Sequence, residues 1–334
     1  EGFCLHGYRF VPVQLIDVAG LVPGAHEGKG MGNQFLSDLN QADALIHVVD
    51  MAGATNAKGE AVQPGSYDPA HDVQFLEEEL DQWYLDILKK GWEKFARKVT
   101  MEHQNLAQAL AQQMSGLRVT EAMVKAAART LPESLLTWDD KILLSLARVL
   151  RQQSKPMIIA ANKMDLPTAA ENLQRLKKQF PSVIFIPCAG DAELALREAH
   201  KKGLIEYIPG EDHFVMKEGL TLQQKNALEH MDKTILKTFG STGVQDTLNN
   251  VVFDFLHYLA VYPGGVNKLS DSEGRVLPDC FLLPPQTTAL DFAFRLHTDL
   301  GKNFVKAIDV KTKRVVGKEH VLQHRDVVEI VVKK

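Results

Sequence analysis

Residues 13–32 read VQLIDVAGLVPGAHEGKGMG. Val11, Val13, Leu15 and Ile16 predict a strand over residues 8–16 with the buried character of an inner α/β strand, and Asp17 ends it. The chain then turns through Gly20 into a loop holding Gly24, Gly28, Gly30 and Gly32. MIIAANKMD, residues 157–165, repeats the arrangement: an apolar strand delivers Asn162, Lys163 and Asp165 at its end. Both runs place polar groups beyond the carboxyl end of a buried strand, where an open parallel sheet keeps its ligands. DVAG alone is a weak signal, because Asp is common just past a strand. Followed in the right order by NKMD, it becomes strong.

The chain has 334 residues, enough for about two or three domains. An ordinary apolar fraction and a formal net charge of -4 give no global argument for nucleic-acid binding, which leaves only local basic faces. Three cysteines without paired spacing argue against a disulfide scaffold or a thiolate zinc site and fit a reducing interior. No apolar run approaches the roughly 20 residues that cross a bilayer, and no signal peptide is evident.

A helix is expected over residues 33–41, then a strand over 44–50 with Ile46, Val48 and Val49 buried. Residues 51–72, dense in Gly, Pro, Asn, Asp and Ser, read as irregular loop. From 73 to 99 apolar residues recur at helical spacing, with Trp83 and Trp92 read as core, and further helices are expected over 104–114 and 119–129. Thr137 and Asp140 have a capping-box pattern before a helix through Leu150. The segment 73–150 is therefore a helical insertion between sheet strands, read as a coiled-coil-like arm in preference to a packing layer. After strand 157–161, a helix is expected over 169–179, a strand over 183–187 ending in Cys188-Ala189-Gly190, and helices over 192–202, 222–239 and 244–258. Thr221 with Gln224 suggests another capping box, and Gly240 a C-cap. Beyond residue 258 the period shortens: strands near 259–262, 280–283, 304–310, 314–316 and 327–332 surround a helix capped by Thr288 and Asp291. That is a small α+β sheet covering one helix.

Asp17-Val18-Ala19-Gly20 resembles the DxxG element of translation-factor-like GTPases, and Asn162-Lys163-Met164-Asp165 resembles their NKxD guanine-recognition element. The run 17–50 and the carboxyl-terminal TTALDFAFRLHTDLGKNFVKAI resemble the Obg-related family, and within it the YchF-like branch whose archaeal members keep NKxD. The resemblance implies a P-loop NTPase-like α/β G domain over 1–72 and 151–250, the helical arm over 73–150, and a β-grasp TGS domain over 251–334. It also implies hydrolysis of GTP to GDP and phosphate, with magnesium (Mg2+) as cofactor.

In this family Asp17 would hold magnesium through water, and the Gly20 amide would reach the terminal phosphate, where a side chain would obstruct the approach. Leu21 stands where Ras-like GTPases keep the glutamine that orients attacking water; it has no donor or acceptor, so hydrolysis must rely on another group, a bound ion or a partner. No catalytic residue is assigned. His26 and Glu27 share the loop, but such loop residues are more often merely solvated. Asp165 would accept from guanine N1 and the exocyclic amine, Asn162 would help hold the purine edge, and the stem of Lys163 would pack over the ring. Adenine presents an acceptor at N1 and lacks the amine, so it cannot satisfy both carboxylate oxygens. Cys188 replaces a family serine; a backbone contact from Ala189 to the guanine oxygen should survive. No histidine is close in sequence to Cys188, so a small buried filler is preferred to a nucleophile.

Nothing matches GxxxxGK[ST], and Gly28-Lys29-Gly30-Met31-Gly32 fits neither that pattern nor a dinucleotide fingerprint. It is read as a mobile switch segment. The phosphate-binding loop belongs upstream of Asp17, so the G domain is expected to be truncated at its amino end and this chain alone to bind nucleotide poorly. A paralogue that lacks the loop is the alternative.

The TGS resemblance implies ribosome or ribosomal RNA association, with Lys302, Lys306, Lys311, Lys313, Arg314, Lys318 and Arg325 as an RNA-facing set. The competing reading is a solvated surface. A protein partner is expected at the helical insertion, the chain is expected to be a cytoplasmic monomer, and no membrane is expected as a partner. Two other functions stay open: a nucleotide-independent ribosome or RNA adaptor with a degenerate site, and an ATPase of the same family, which conflicts with the intact NKMD.

Overall fold

In the computed structural model, residues 3–18, 38–270 and 273–333 are described. The chain forms two compact units, one of residues 1–15 with 248–334 and one of residues 16–247.

The chain opens with a hairpin of β1 (Phe3–Leu5) and β2 (Tyr8–Phe10), paired antiparallel. His6 and Gly7 both take positive φ, +47° and +87°, which suits a tight two-residue hairpin turn. This corrects the expected strand over residues 8–16. Residues 11–18 have no regular structure, and Val13 and Leu15 are exposed. The backbone of residues 8–10 finds its partners locally, in β1, and not in a parallel sheet.

The larger unit is built on a parallel sheet ordered β3-β4-β5. β3 is Leu45–Asp50, and the insertion that follows it contains α1 (Ala70–Lys89), α2 (Trp92–Met101), α3 (Leu106–Gln113), α4 (Glu121–Ala128) and α5 (Asp140–Ser154). Next come β4 (Met157–Asn162), α6 (Ala169–Gln179), β5 (Phe185–Pro187) and α7 (Gly190–Lys201). A β6–β7 hairpin, Ile205–Tyr207 with Phe214–Met216, was not expected from sequence. α8 (Leu222–Met231) carries the expected Thr221–Gln224 capping box and runs on through a π-turn to Phe239, where Gly240 takes φ +84°. α9 is Val244–Asn249.

β4 is the central strand, so Ile158, Ile159 and Ala161 are fully buried, as its unbroken apolar run requires. β3 lies at the edge among the described residues. Val49 is buried with Ile159, Leu173 and Phe185, but Val48 is 61% exposed, against the expectation that it is buried. Its neighbour His47 is enclosed, with Nδ1 lacking a hydrogen-bond partner among the described residues; burial pushes its pKa down to about 4.

The insertion has its own core, in which Leu80, Tyr84, Leu88, Leu110, Val124, Leu146 and Leu150 are essentially fully buried. The helices pack on one another as a bundle, where the sequence reads as a coiled-coil-like arm. The expected helix over 73–99 is two helices, because Gly91 takes φ +81° and breaks the ladder between α1 and α2. Trp92 stacks on Trp138 at 5.4 Å. α5 is capped by Asp139, whose side chain accepts from the amides of Lys141 and Ile142, in place of the expected Thr137. Inside the bundle, Asp81 accepts from Arg151 Nε and Arg148 Nε, both at 2.9 Å, with Asp81 and Arg151 buried. Lys155 is fully buried where the bundle returns to the sheet and donates to the Ala42 carbonyl at 2.6 Å; burial and nearby Arg118 push its pKa down to about 8.

The smaller unit contains a mixed sheet ordered β11-β10-β12-β8-β9. Its strands are β8 (Leu259–Pro263), β9 (Phe281–Leu283), β10 (Phe304–Asp309), β11 (Arg314–Val316) and β12 (Val327–Val332). α10 (Ala289–Leu296), capped by a Thr288–Asp291 box, buries Phe292 against Val261, Leu283, Ala307 and Val328. α11 is Thr298–Lys302, capped by His297.

Candidate functional site

The carboxyl ends of β3, β4 and β5 meet at one edge of the larger unit's sheet. The register pairs Asp50 with Asn162, and the Met51 amide donates to the Asn162 carbonyl at 3.0 Å. Asn162 Oδ1 accepts the Gly190 amide at 2.9 Å, which joins the NKMD turn to the start of α7. Met164 N donates to the Cys188 carbonyl at 3.1 Å, and Cys188 N to the Ala161 carbonyl at 2.7 Å. Lys163 sits in the left-handed region, φ +62°, a conformation that costs a side-chain-bearing residue about 1–2 kcal/mol and persists only where its surroundings over-determine it. The structure thus brings Asn162, Lys163, Asp165, Cys188 and Ala189 into one cluster of loops. Asp165 is exposed and has no hydrogen bond or ion pair among the described residues, so both oxygens face solvent or a ligand.

Cys188 is 4% exposed, with Sγ 3.3 Å from Thr247 Oγ1, and burial pushes its thiol pKa up. It is a packed filler. The Ala189 amide already donates to the Thr242 carbonyl at 2.9 Å, so a guanine oxygen would have to displace that bond. Ser241-Thr242-Gly243 forms a loop that closes over the end of β5. A Cβ at Gly243, φ +78°, would lie 1.7 Å from the Pro187 carbonyl oxygen. Thr242 Oγ1 donates to Glu193 Oε2 at 2.5 Å, and Tyr207 donates to the same oxygen at 2.7 Å, so a buried carboxylate anchors this loop.

Asp50 is the residue that sequence reading missed. Its carboxylate accepts the amides of Ala52 (3.0 Å) and Ala54 (3.1 Å), the Thr55 hydroxyl (2.8 Å) and the Lys163 ammonium (2.8 Å). Lys163 Nζ also donates to Thr55 Oγ1 at 2.8 Å. The signal was present, since Asp50 ends an apolar strand and precedes a glycine turn just as Asp17 was expected to do. The segment after it is not loose. Thr168 Oγ1 donates to the Ala52 carbonyl and Asn172 Nδ2 to the Met51 carbonyl, both at 2.9 Å, while Gly53 approaches Tyr67 too closely for any side chain.

Of the expected phosphate and switch residues, Asp17 is exposed and outside regular structure, and Gly20, Leu21, His26, Glu27 and the Gly24–Gly32 loop lie outside the described residues. In the smaller unit, Lys311, Lys313 and Arg314 gather at the β10–β11 turn. Lys302 ends α11, Lys318 lies 3.7 Å from Glu319, Arg325 precedes β12, and Lys306 is half-buried on β10. Among the described residues, Glu211, Asp212 and His213 bring three potential metal-ligand atoms within 4.8 Å, but they are largely surface groups and Lys237 already lies 3.8 Å from Asp212. No helix among the described residues is long and apolar enough to cross a membrane.

An α/β sheet that ends in NKMD, with a β-grasp-like sheet downstream, defines the class as a P-loop GTPase G domain joined to a TGS domain. Comparisons with known proteins agree. Family profiles match residues 5–89 (50S ribosome-binding GTPase), 160–265 (Obg-like GTPase YGR210-like, G4 motif-containing domain) and 273–332 (TGS domain). The chain is 47% identical to an uncharacterised GTP-binding protein of Methanocaldococcus jannaschii over 98% of this chain and 83% of that one. A GTP-binding protein from Pyrococcus horikoshii superposes with a TM-score of 0.74 at 39% identity, covering 99% of this chain and 86% of the other. The ribosome-binding ATPase YchF of Buchnera aphidicola is 23% identical over 88% of this chain and 69% of its own length. The chain belongs to the Obg-like, YchF-type family of GTP-binding proteins that carry a TGS domain.

Proposed function

We propose that the protein is a magnesium-dependent GTPase that acts as a switch on the ribosome in the cytoplasm. The observation that carries this reading is the NKMD loop, in which Asn162 is pinned to Gly190, Lys163 to Asp50, and the Asp165 carboxylate is exposed and unpaired among the described residues. A free carboxylate on a loop held at both neighbours selects a base edge that offers two donors, which guanine has and adenine lacks. Asp17 would hold magnesium through water and the Gly20 amide would meet the terminal phosphate. With Leu21 in the water-orienting position, hydrolysis draws on a partner or a bound ion, which suits a switch that turns over only when engaged. The name of the Buchnera aphidicola relative supports the ribosome as that partner, and the cations at the β10–β11 turn offer phosphate contacts. The ATPase reading keeps one supporting observation, the Ala189 amide committed to Thr242.

The test is Asp165→Asn. Asn presents an amide donor to the 2-oxo group of xanthine where Asp accepts from the 2-amine of guanine. The substitution should lower GTP affinity at least tenfold and raise XTP affinity. Unchanged GTP affinity would refute the assignment.

A further inference from the structure

We infer that Asp50, together with Thr55, is a positioning residue for base recognition, acting through Lys163. This rests on the guanine-binding reading of the NKMD loop. A lysine stem is a poor recognition surface unless its rotamers are fixed, because four flexible carbons must be ordered as the ligand arrives. Here the ordering is already complete. Lys163 Nζ is held by Asp50 Oδ2 and by Thr55 Oγ1, each at 2.8 Å, and Thr55 itself donates to that same Asp50 oxygen at 2.8 Å. The three groups form a closed triangle at the level where β3 and β4 end. Asp50 is only 11% exposed at its side chain, and two backbone amides, of Ala52 and Ala54, fix its orientation.

The backbone supports the same conclusion. Lys163 keeps its left-handed φ while Leu166 N donates to its carbonyl at 3.0 Å and Met164 N is tied to Cys188. Main chain and side-chain tip are therefore both clamped, and only the aliphatic stem is left to present to a ligand. The ammonium is neutralised, so it neither repels nor attracts the base and contributes through shape. On this account Asp50 never touches the nucleotide; it sets how much of the stem's disorder must be removed on binding.

A double-mutant cycle tests this, with Asp50→Ala, Lys163→Met and the pair, each made in this chain and in a form extended upstream of Glu1, titrated with GTP and followed by saturation-transfer NMR and calorimetry. Each single substitution should weaken GTP binding roughly tenfold, as expected for a hydrogen bond to a charged group, and the pair should be no weaker than Lys163→Met alone. Thr55→Val, which leaves the Ala52 and Ala54 amides bonded to Asp50, should weaken binding in the same direction and serves if Asp50→Ala does not fold. Additive losses, or a normal affinity in both Asp50→Ala and Thr55→Val, would overturn the inference and leave Asp50 as a loop cap. Failure of both the unsubstituted chain and a form extended upstream of Glu1 to bind GTP would instead overturn the guanine reading, and the inference with it.

Discussion

Gly243→Ala separates a glycine kept for its conformation from one kept for its proximity. Gly243 and Gly240 lie in one short connection at φ +78° and +84°, so alanine at either pays the left-handed penalty, about 1–2 kcal/mol. At Gly240 a Cβ meets nothing within 4 Å. At Gly243 it would lie 1.7 Å from the Pro187 carbonyl oxygen and 3.0 Å from Cys188 Sγ. The first of these atoms is backbone at the end of β5 and cannot swing aside, so the Ser241–Gly243 loop must lift. Lifting withdraws the Thr242 carbonyl from the buried Ala189 amide, and an unsatisfied buried donor adds about 1–3 kcal/mol. Gly243→Ala should therefore cost about 2–5 kcal/mol against about 1–2 for Gly240→Ala. Urea denaturation followed by tryptophan fluorescence reads this directly, because Trp83, Trp92 and Trp138 are the only tryptophans and all lie in the larger unit. Amide exchange at Ala189 should accelerate in the Gly243 variant alone. Equal midpoints and unchanged exchange would refute the argument.

Asp81→Ala leaves the Arg151 guanidinium, 3% exposed, with the 3.4 Å contact to Glu77 as its one remaining ion pair among the described residues, and should cost about 3 kcal/mol in the same assay. Asp81→Leu with Arg151→Met should recover more than half of that, because the charge is removed with its partner. For His47, burial lowers the folded pKa from 6.5 to about 4, so the native imidazole is neutral. Its contribution is complete above pH 6.5 and is lost as the pH falls toward 4, because the unfolded chain binds a proton that the folded one excludes. Between pH 7 and pH 5 this should remove about 2 kcal/mol from the unmodified chain and nothing comparable from His47→Leu. Parallel stability curves for the two would contradict it.

Local chemistry was legible in the sequence where one stretch decides its own structure. The Thr221–Gln224 and Thr288–Asp291 boxes cap their helices, Gly240 ends one, and the apolar run before NKMD is a buried central strand. The misreadings depend on distant partners. Val48 looks as apolar as Val49, but whether it is covered depends on what lies beside β3. Residues 8–16 have the composition of an inner strand, yet pairing with Phe3–Leu5 takes up residues 8–10 as a hairpin. The helical period runs unbroken across Gly91, and only its φ shows the break. Thr137 and Asp139 are both good caps, and the helix starts at the second of them. In the site, NKMD could be read directly, whereas the role of Asp50 depends on the register that sets it level with Asn162.

The proposed function requires that this cluster of loops read guanine. The most direct measurement is calorimetric titration with GTP and with ATP, each with and without magnesium, on this chain and on a form extended upstream of Glu1. GTP should bind in a magnesium-dependent way and at least tenfold more tightly than ATP. ATP binding as tightly as GTP, or no GTP binding by either form, would contradict it.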